Sequence, residues 1–193
     1  TEDIAIMRSM ANMPVISPAD GQALSELIEE SVVSYDGPIY FRVSRGREET
    51  VYVEGTQKNV IGKANELRSG KDITIIACGI MVKAALDAAE ELSVEGIQAR
   101  VIDMHTIKPI DQEAILKAAE ETGAILTVEE HNILGGLGGA VAEILMESGI
   151  PCKFRRHGFY DEYSIIGKPY YLYAHYKLDG KGVASVARDF LDH

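Results

Sequence analysis

The sequence predicts an α/β protein built on a mostly parallel sheet with helices on both faces. Two observations carry that prediction. Short, nearly continuous apolar runs, such as "DITIIACG" (72–79) and "AILTVEE" (124–130), read as strands buried on both faces. Between them lie stretches with apolar residues at helical spacing, and strand–helix alternation of this kind means crossover connections and a parallel sheet.

The elements follow in order. "MPVISPA" (13–19) is a short apolar strand ending near Pro18. Asp20 is a good N-cap for a helix over 20–34, where Ala23, Leu24, Leu27, Ile28 and Val32 share a face. "DGP" (36–38) is a turn, and the alternating "IYFRVSR" (39–45) is a strand. A polar, less periodic stretch from Gly46 to about Gly70 reads as a linker and entry segment. The pattern then restarts with a strand at 72–79, a helix at 81–92 and a strand at 98–107. A helix at 111–122 is capped by Asp111, and a strand follows at 124–130. A helix at 140–149, a strand at 152–159 and a terminal helix at 182–191 complete the chain. The first strand–helix–strand unit is too small to cover both sheet faces, so the chain is expected to begin inside a domain whose earlier strands lie elsewhere.

Bulk composition narrows the function classes. The 193 residues are 46% hydrophobic and 25% charged, an ordinary globular composition. The formal charge of −11 argues against a nucleic-acid binder and disfavours an anionic membrane surface. No apolar run approaches the roughly 20 residues of a membrane span, and the N-terminus has no secretory pattern. Cys78 and Cys152 read as buried free thiols of a cytoplasmic protein.

Four glycines lie within Gly135–Gly139 of "VEEHNILGGLGGAVAE" (128–143), between a strand and a helix. The dinucleotide fingerprint fails, because Val141 stands where its third glycine belongs. The phosphate-loop pattern fails too, for want of Lys-Ser/Thr after the glycines. Close backbone approach at a crowded turn is the favoured reading, with anion binding at the helix N-terminus as the rival. Glu129 and Glu130 are adjacent on a strand, face opposite ways, and suit capping or interface roles better than joint catalysis. His105, His131, His157, His175 and His193 show no metal-ligand spacing. Tyr170, Tyr171, Tyr173 and Tyr176 lack a basic surround and suit packing better than base stacking.

Arg45 is the candidate binding residue. It ends a strand at the carboxyl edge of a parallel sheet, beside a glycine, where its guanidinium suits a phosphate. Arg42 alternates to another face and Arg47 lies past the strand, so both are weaker candidates.

Four segments together resemble the C-terminal portion of transketolase: "EDIAIMRSMANMPVISPAD", "DGPIYFRVSRG", "DMHTIKPID" and "VEEHNILGGLGGAVAE". The "VEEHNILGGLGG" form is most similar to transketolases encoded as two subunits, and 1-deoxyxylulose-5-phosphate synthase shares the plan. The resemblance implies the C-terminal tail of a pyrimidine-binding domain over 1–46, a linker over 47–58, and a transketolase C-terminal-type domain over 59–193, with a mostly parallel sheet flanked by helices. It implies transfer of a two-carbon ketol unit between sugar phosphates, with thiamine diphosphate and magnesium in the complete enzyme. Arg45 matches the family arginine that binds the substrate phosphate. The cofactor-activating glutamate, the stacking aromatics and the catalytic histidines lie upstream in the family, so no catalytic residue and no cofactor are expected on this chain alone. An N-terminal subunit, a second copy of the chain and sugar-phosphate substrates are the implied partners. Part of a deoxyxylulose-phosphate synthase and a non-catalytic anion-binding module are the rival readings.

Overall fold

A computed structural model describes residues 1–44, 49–53, 55 and 57–192. Two sheets form the frame. The smaller combines β1 (Val15–Ile16), β2 (Tyr40–Phe41) and β6 (Thr106–Lys108) in the order β2-β1-β6. The larger has the order β3-β5-β4-β7-β8, from β3 (Asn65–Arg68), β4 (Ile73–Ala77), β5 (Ala99–Asp103), β7 (Ala124–Asn132) and β8 (Lys153–Phe159). Only β3 is antiparallel in this sheet. The helices are α1 (Asp3–Ser9), α2 (Gly21–Ser34), α3 (Met81–Val94), α4 (Gln112–Thr122), α5 (Leu137–Ser148), α6 (Pro169–His175) and α7 (Gly180–Leu191).

Strand alternation divides the apolar residues between two cores. Ile73, Ile75 and Ala77 of β4 face α3 and α7, together with Val101, Leu126 and Val128. Ile76, Ile102 and Ile125 face the other way, towards Ile115 of α4 and Leu137 and Val141 of α5. All five residues of β4 and all five of β5 are buried, as expected of parallel strands covered on both faces. Asp20, Asp111 and Asp179 cap α2, α4 and α7 by accepting the N–H of Ala23, Ala114 and Gly182.

Four local expectations change. Among the described residues of the strand expected over 39–45, pairing covers Tyr40–Phe41. Its partner β1 is bracketed by Pro14 and Pro18, which have no N–H to extend a ladder. The strand expected over 98–107 divides. Met104 N still donates to Ala77 O at 2.8 Å, then Ser17 N takes His105 O at 2.7 Å, and Thr106–Lys108 joins the smaller sheet antiparallel to β1. The polar stretch before Gly70 contains β3, whose alternating burial of Asn65 and Leu67 hides behind charged neighbours at a sheet edge. Two short helices, α1 and α6, lack the length over which apolar spacing is readable.

The chain that leads into the larger sheet is strapped along α2. Val51 N and Tyr52 N both donate to Asp20 Oδ2 at 2.8 Å. Asn59 N donates to Glu26 and Ile61 N to Glu30. Carboxylates on one side of the helix thus bond the main chain of a segment that has little secondary structure of its own.

Candidate functional site

The order of the larger sheet reverses between β4 and β7, because the chain runs from β4 to β5 on one side and returns to β7 and β8 on the other. Open α/β sheets bind ligands beyond the carboxyl ends of their strands at such a point. A groove of about 820 Å³ lies there. Ile80, Met81 and Ala84 after β4 line its floor, Glu130 of β7 and Tyr173 of α6 one wall, and Tyr40, Arg42, Val43 and Ser44 another. A smaller cavity adjoins it behind Arg42, Val43 and Ser44, against Ser17 and Gly79.

Arg42 is the centre of this wall. Its Nε donates to Asp3 Oδ2 and its Nη1 to Glu130 Oε2, each at 2.9 Å, while Nη2 donates to Glu130 O at 3.0 Å. Tyr40 Oη donates to the same Asp3 oxygen at 2.8 Å, and Tyr173 Oη to Glu130 Oε1 at 2.6 Å. Burial works against charge on Arg42, but the bond to Glu130 and the charge of Asp3 outweigh it and raise its pKa. Burial also tends to raise Asp3, and the Arg42 guanidinium with the Tyr40 hydroxyl holds it below the usual value. Spacing along the strand ranked Arg42 behind Arg45, because its partners come from residues 3 and 130, which no local pattern brings together.

Arg45, the residue singled out by the sequence, lies outside the described residues, as do Arg47 and His193. Its chain neighbour Ser44 lines both cavities.

The glycine loop is elsewhere and is closed. Glu129 is fully buried, and its carboxylate accepts Leu137 N at 2.7 Å and Gly138 N at 2.8 Å. The α5 N-terminus, the place where a phosphate would sit, therefore holds the protein's own carboxyl group. A Cβ on Gly136 would stand 1.9 Å from Glu129 Oε2, and Gly135 takes a φ of +77°. Arg8 Nη1 covers the loop by donating to Gly135 O at 2.8 Å. Burial pushes the Glu129 carboxyl up to about 7, against the opposing pull of the Gly138 and Leu137 N–H groups. Glu129 thus caps α5, and Glu130 joins Arg42 to Tyr173 within the chain.

The remaining candidates are structural. His131 Nδ1 lies 2.6 Å from Asn132 O, and His157 Nε2 2.7 Å from Lys177 O, both rings being buried. Burial also lowers His105 to about 4. No group of three His, Cys, Asp or Glu among the described residues is arranged to hold a metal. No helix there is long and apolar enough to cross a membrane. Both cysteines are free; Cys78 is buried and its thiol is pushed up by burial, whereas Cys152 is only partly buried. Tyr173 and Tyr176 pack on the core, while Tyr170 and Tyr171 remain exposed.

A second buried polar cluster joins the strap to β5. Tyr52 Oη donates to Asp103 Oδ2 at 2.7 Å and receives Asn65 Nδ2 at 3.1 Å. Asp103 is fully buried, its Oδ1 has no hydrogen-bond partner among the described residues, and burial pushes its carboxyl from 3.8 up to about 7. The folded state holds this proton more tightly than the unfolded chain does. Stability from this group is therefore complete below pH 3.8 and falls as the pH rises to about 7. The slope from one such proton is at most about 1.4 kcal/mol per pH unit. Urea unfolding of Asp103→Asn between pH 4.5 and 7.5 is expected to show a shallower fall than wild type. An unchanged slope would mean that Asp103 is already ionised in the folded protein.

Residues 62–183 match the family described as "Transketolase, C-terminal domain". Over 98% of this chain and 60% of the relative, the sequence is 44% identical to one subunit of the apulose-4-phosphate transketolase of Phocaeicola vulgatus. Over 98% of this chain and 29% of the relative, it is 40% identical to 1-deoxy-D-xylulose-5-phosphate synthase of Heliobacterium modesticaldum. Among solved structures, a split-gene transketolase described as an inactive β4 tetramer superposes with a TM-score of 0.87 at 39% identity, covering 99% of this chain and 61% of that one. The chain thus spans less than two thirds of the length of these relatives.

Proposed function

Because the chain belongs to the transketolase C-terminal domain family, we propose that it is the C-terminal part of a split, thiamine-diphosphate-dependent transketolase. The assembled enzyme moves a two-carbon ketol unit between sugar phosphates in the cytoplasm, working with an N-terminal partner subunit and a second copy of this chain. The observation that supports this reading most is the match to a transketolase subunit along 98% of the chain.

In this reading the chain contributes substrate binding and scaffold. A diphosphate with its cation needs free N–H groups and metal-ligating carboxylates. The α5 N-terminus is filled by Glu129, and no group of three carboxylates among the described residues is arranged to hold the cation. The described residues do not fit such a group, and no step involving it is assigned to them. Phosphate binding falls to Arg45, through a charge-assisted hydrogen bond.

The test is reconstitution. Calorimetric titration with thiamine diphosphate and magnesium is expected to show no saturation with this chain alone and saturation with the full-length protein paired with its N-terminal subunit. The pair is expected to transfer a ketol unit from a ketose phosphate to an aldose phosphate. The second reading, a deoxyxylulose-phosphate synthase, is favoured by the 40% identity to such an enzyme. Release of carbon dioxide from pyruvate by the pair, without ketol transfer, would establish it instead.

A further inference from the structure

We propose that His131 is a proton-operated latch for α1, holding that helix on the glycine turn while the ring is neutral and releasing it when the ring takes a second proton. The ring is fully buried and uses both of its nitrogens. Nδ1 lies 2.6 Å from Asn132 O, a carbonyl that can only accept, so Nδ1 carries the proton. Nε2 takes the N–H of Ala5 at 3.4 Å, so Nε2 must be bare. One neutral tautomer alone satisfies both bonds, and a second proton turns Nε2 into a donor facing a donor. Ala5 N lies in the first turn of α1, where no intrahelical acceptor exists, and Glu2 before the helix supplies no side-chain cap.

The rest of the seat depends on α1 staying down. A Cβ on Gly135 would lie 2.9 Å from Ala5 Cβ, so glycine is what lets the helix come this close. Arg8 Nη1 donates to Gly135 O, Asn132 N donates to Thr1 O at 2.8 Å, and Asp3 accepts from Arg42. Asp3 also lines the groove at the switch point, so lifting α1 opens one wall of that groove.

The charged groups around the ring are Glu2 and Asp3 from the start of α1, Glu129 of β7 at 3.6 Å from Nδ1, and Arg42 beyond β2, with Arg8 and Arg156 flanking Glu129. Burial lowers the His131 pKa below 6.5, against the pull of the Asn132 and Glu2 carbonyls and of Asp3. The latched protein therefore binds this proton less well than the unlatched one. The latch is at full strength above pH 6.5 and weakens as the pH falls below it. Glu129 works in the opposite sense, because burial raises its pKa and the folded protein holds its proton more tightly. Glu2 and Asp3 lie below their ordinary carboxylate values, so both stay ionised across the range where the latch responds.

The experiment follows hydrogen–deuterium exchange by peptide mass spectrometry from pH 7.5 to pH 5, corrected for intrinsic exchange, in the full-length protein paired with its N-terminal subunit. Exchange across α1 is expected to rise about fivefold more than exchange across β4 over this range. His131→Gln places a carbonyl oxygen near the position of Nε2 and takes no proton. It is expected to keep the slow exchange of α1 at pH 7.5 and to lose the rise. If His131→Gln fails to assemble, or leaves α1 open at pH 7.5, the ring nitrogen-15 shifts of the wild type carry the test. A ring protonated at Nδ1 at pH 7.5, gaining its second proton over the same range as the rise, supports the latch. The opposite tautomer, a rise that persists in His131→Gln, or no rise in the wild type would overturn the proposal.

Discussion

Replacing Gly136 with alanine is expected to destabilise the protein by at least about 3 kcal/mol, the range reached when a change overpacks a core and strands a buried polar group. The new Cβ would lie 1.9 Å from Glu129 Oε2 and 2.7 Å from His131 Nδ1. Neither neighbour can swing away at low cost, because both side chains are fully buried. Moving the carboxylate would also leave the N–H groups of Leu137 and Gly138 without their acceptor inside the protein. Gly139→Ala is the internal control. Its Cβ would meet only Arg8 Nη1, at 3.4 Å, and alanine is the better helix former. Gly139→Ala is expected to stay within about 1 kcal/mol of wild type. Urea midpoints of the two variants measure the contrast, and equal losses would show that Glu129 does not fill the turn.

If Arg45 holds the substrate phosphate as proposed, Arg45→Met is expected to lower kcat/KM of the assembled enzyme for a ketose phosphate by about a hundredfold, the loss of one charge-assisted contact of about 3 kcal/mol. The same ratio for the unphosphorylated ketose should change little, because the deleted charge has no phosphate to meet there. Steady-state kinetics with the donor pair read this directly. A similar loss for both donors would assign Arg45 to the structure of the subunit and not to the phosphate.

The large sheet was legible in the sequence because its strands are buried on both faces and its helices begin at readable caps. Ile73–Ala77 is buried throughout and apolar but for Thr74, and Asp20 and Asp111 each sit three residues before the N–H they accept. What failed to show were features decided by distant partners. Nothing within 98–107 says that the chain leaves one sheet at Met104 and enters another at Thr106, since both halves are apolar and β-rich. The cap of α5 is invisible locally because Glu129 reaches Leu137 N from eight residues upstream. The site was half legible. The strand edge ending in Val43 and Ser44 does line the groove at the switch point, but Arg42 acquires its place only when residues 3 and 130 come together.

The division of β5 from β6 governs how the chain comes apart. Because Thr106–Lys108 pairs with β1, the smaller sheet draws strands from both sides of the strap, and Gly79 N adds a bond to Ser17 O. The first 44 residues and the rest are thus sewn together at several points besides the covalent join. A protease cut in the strap is expected to leave two fragments that travel as one particle and melt in one cooperative step.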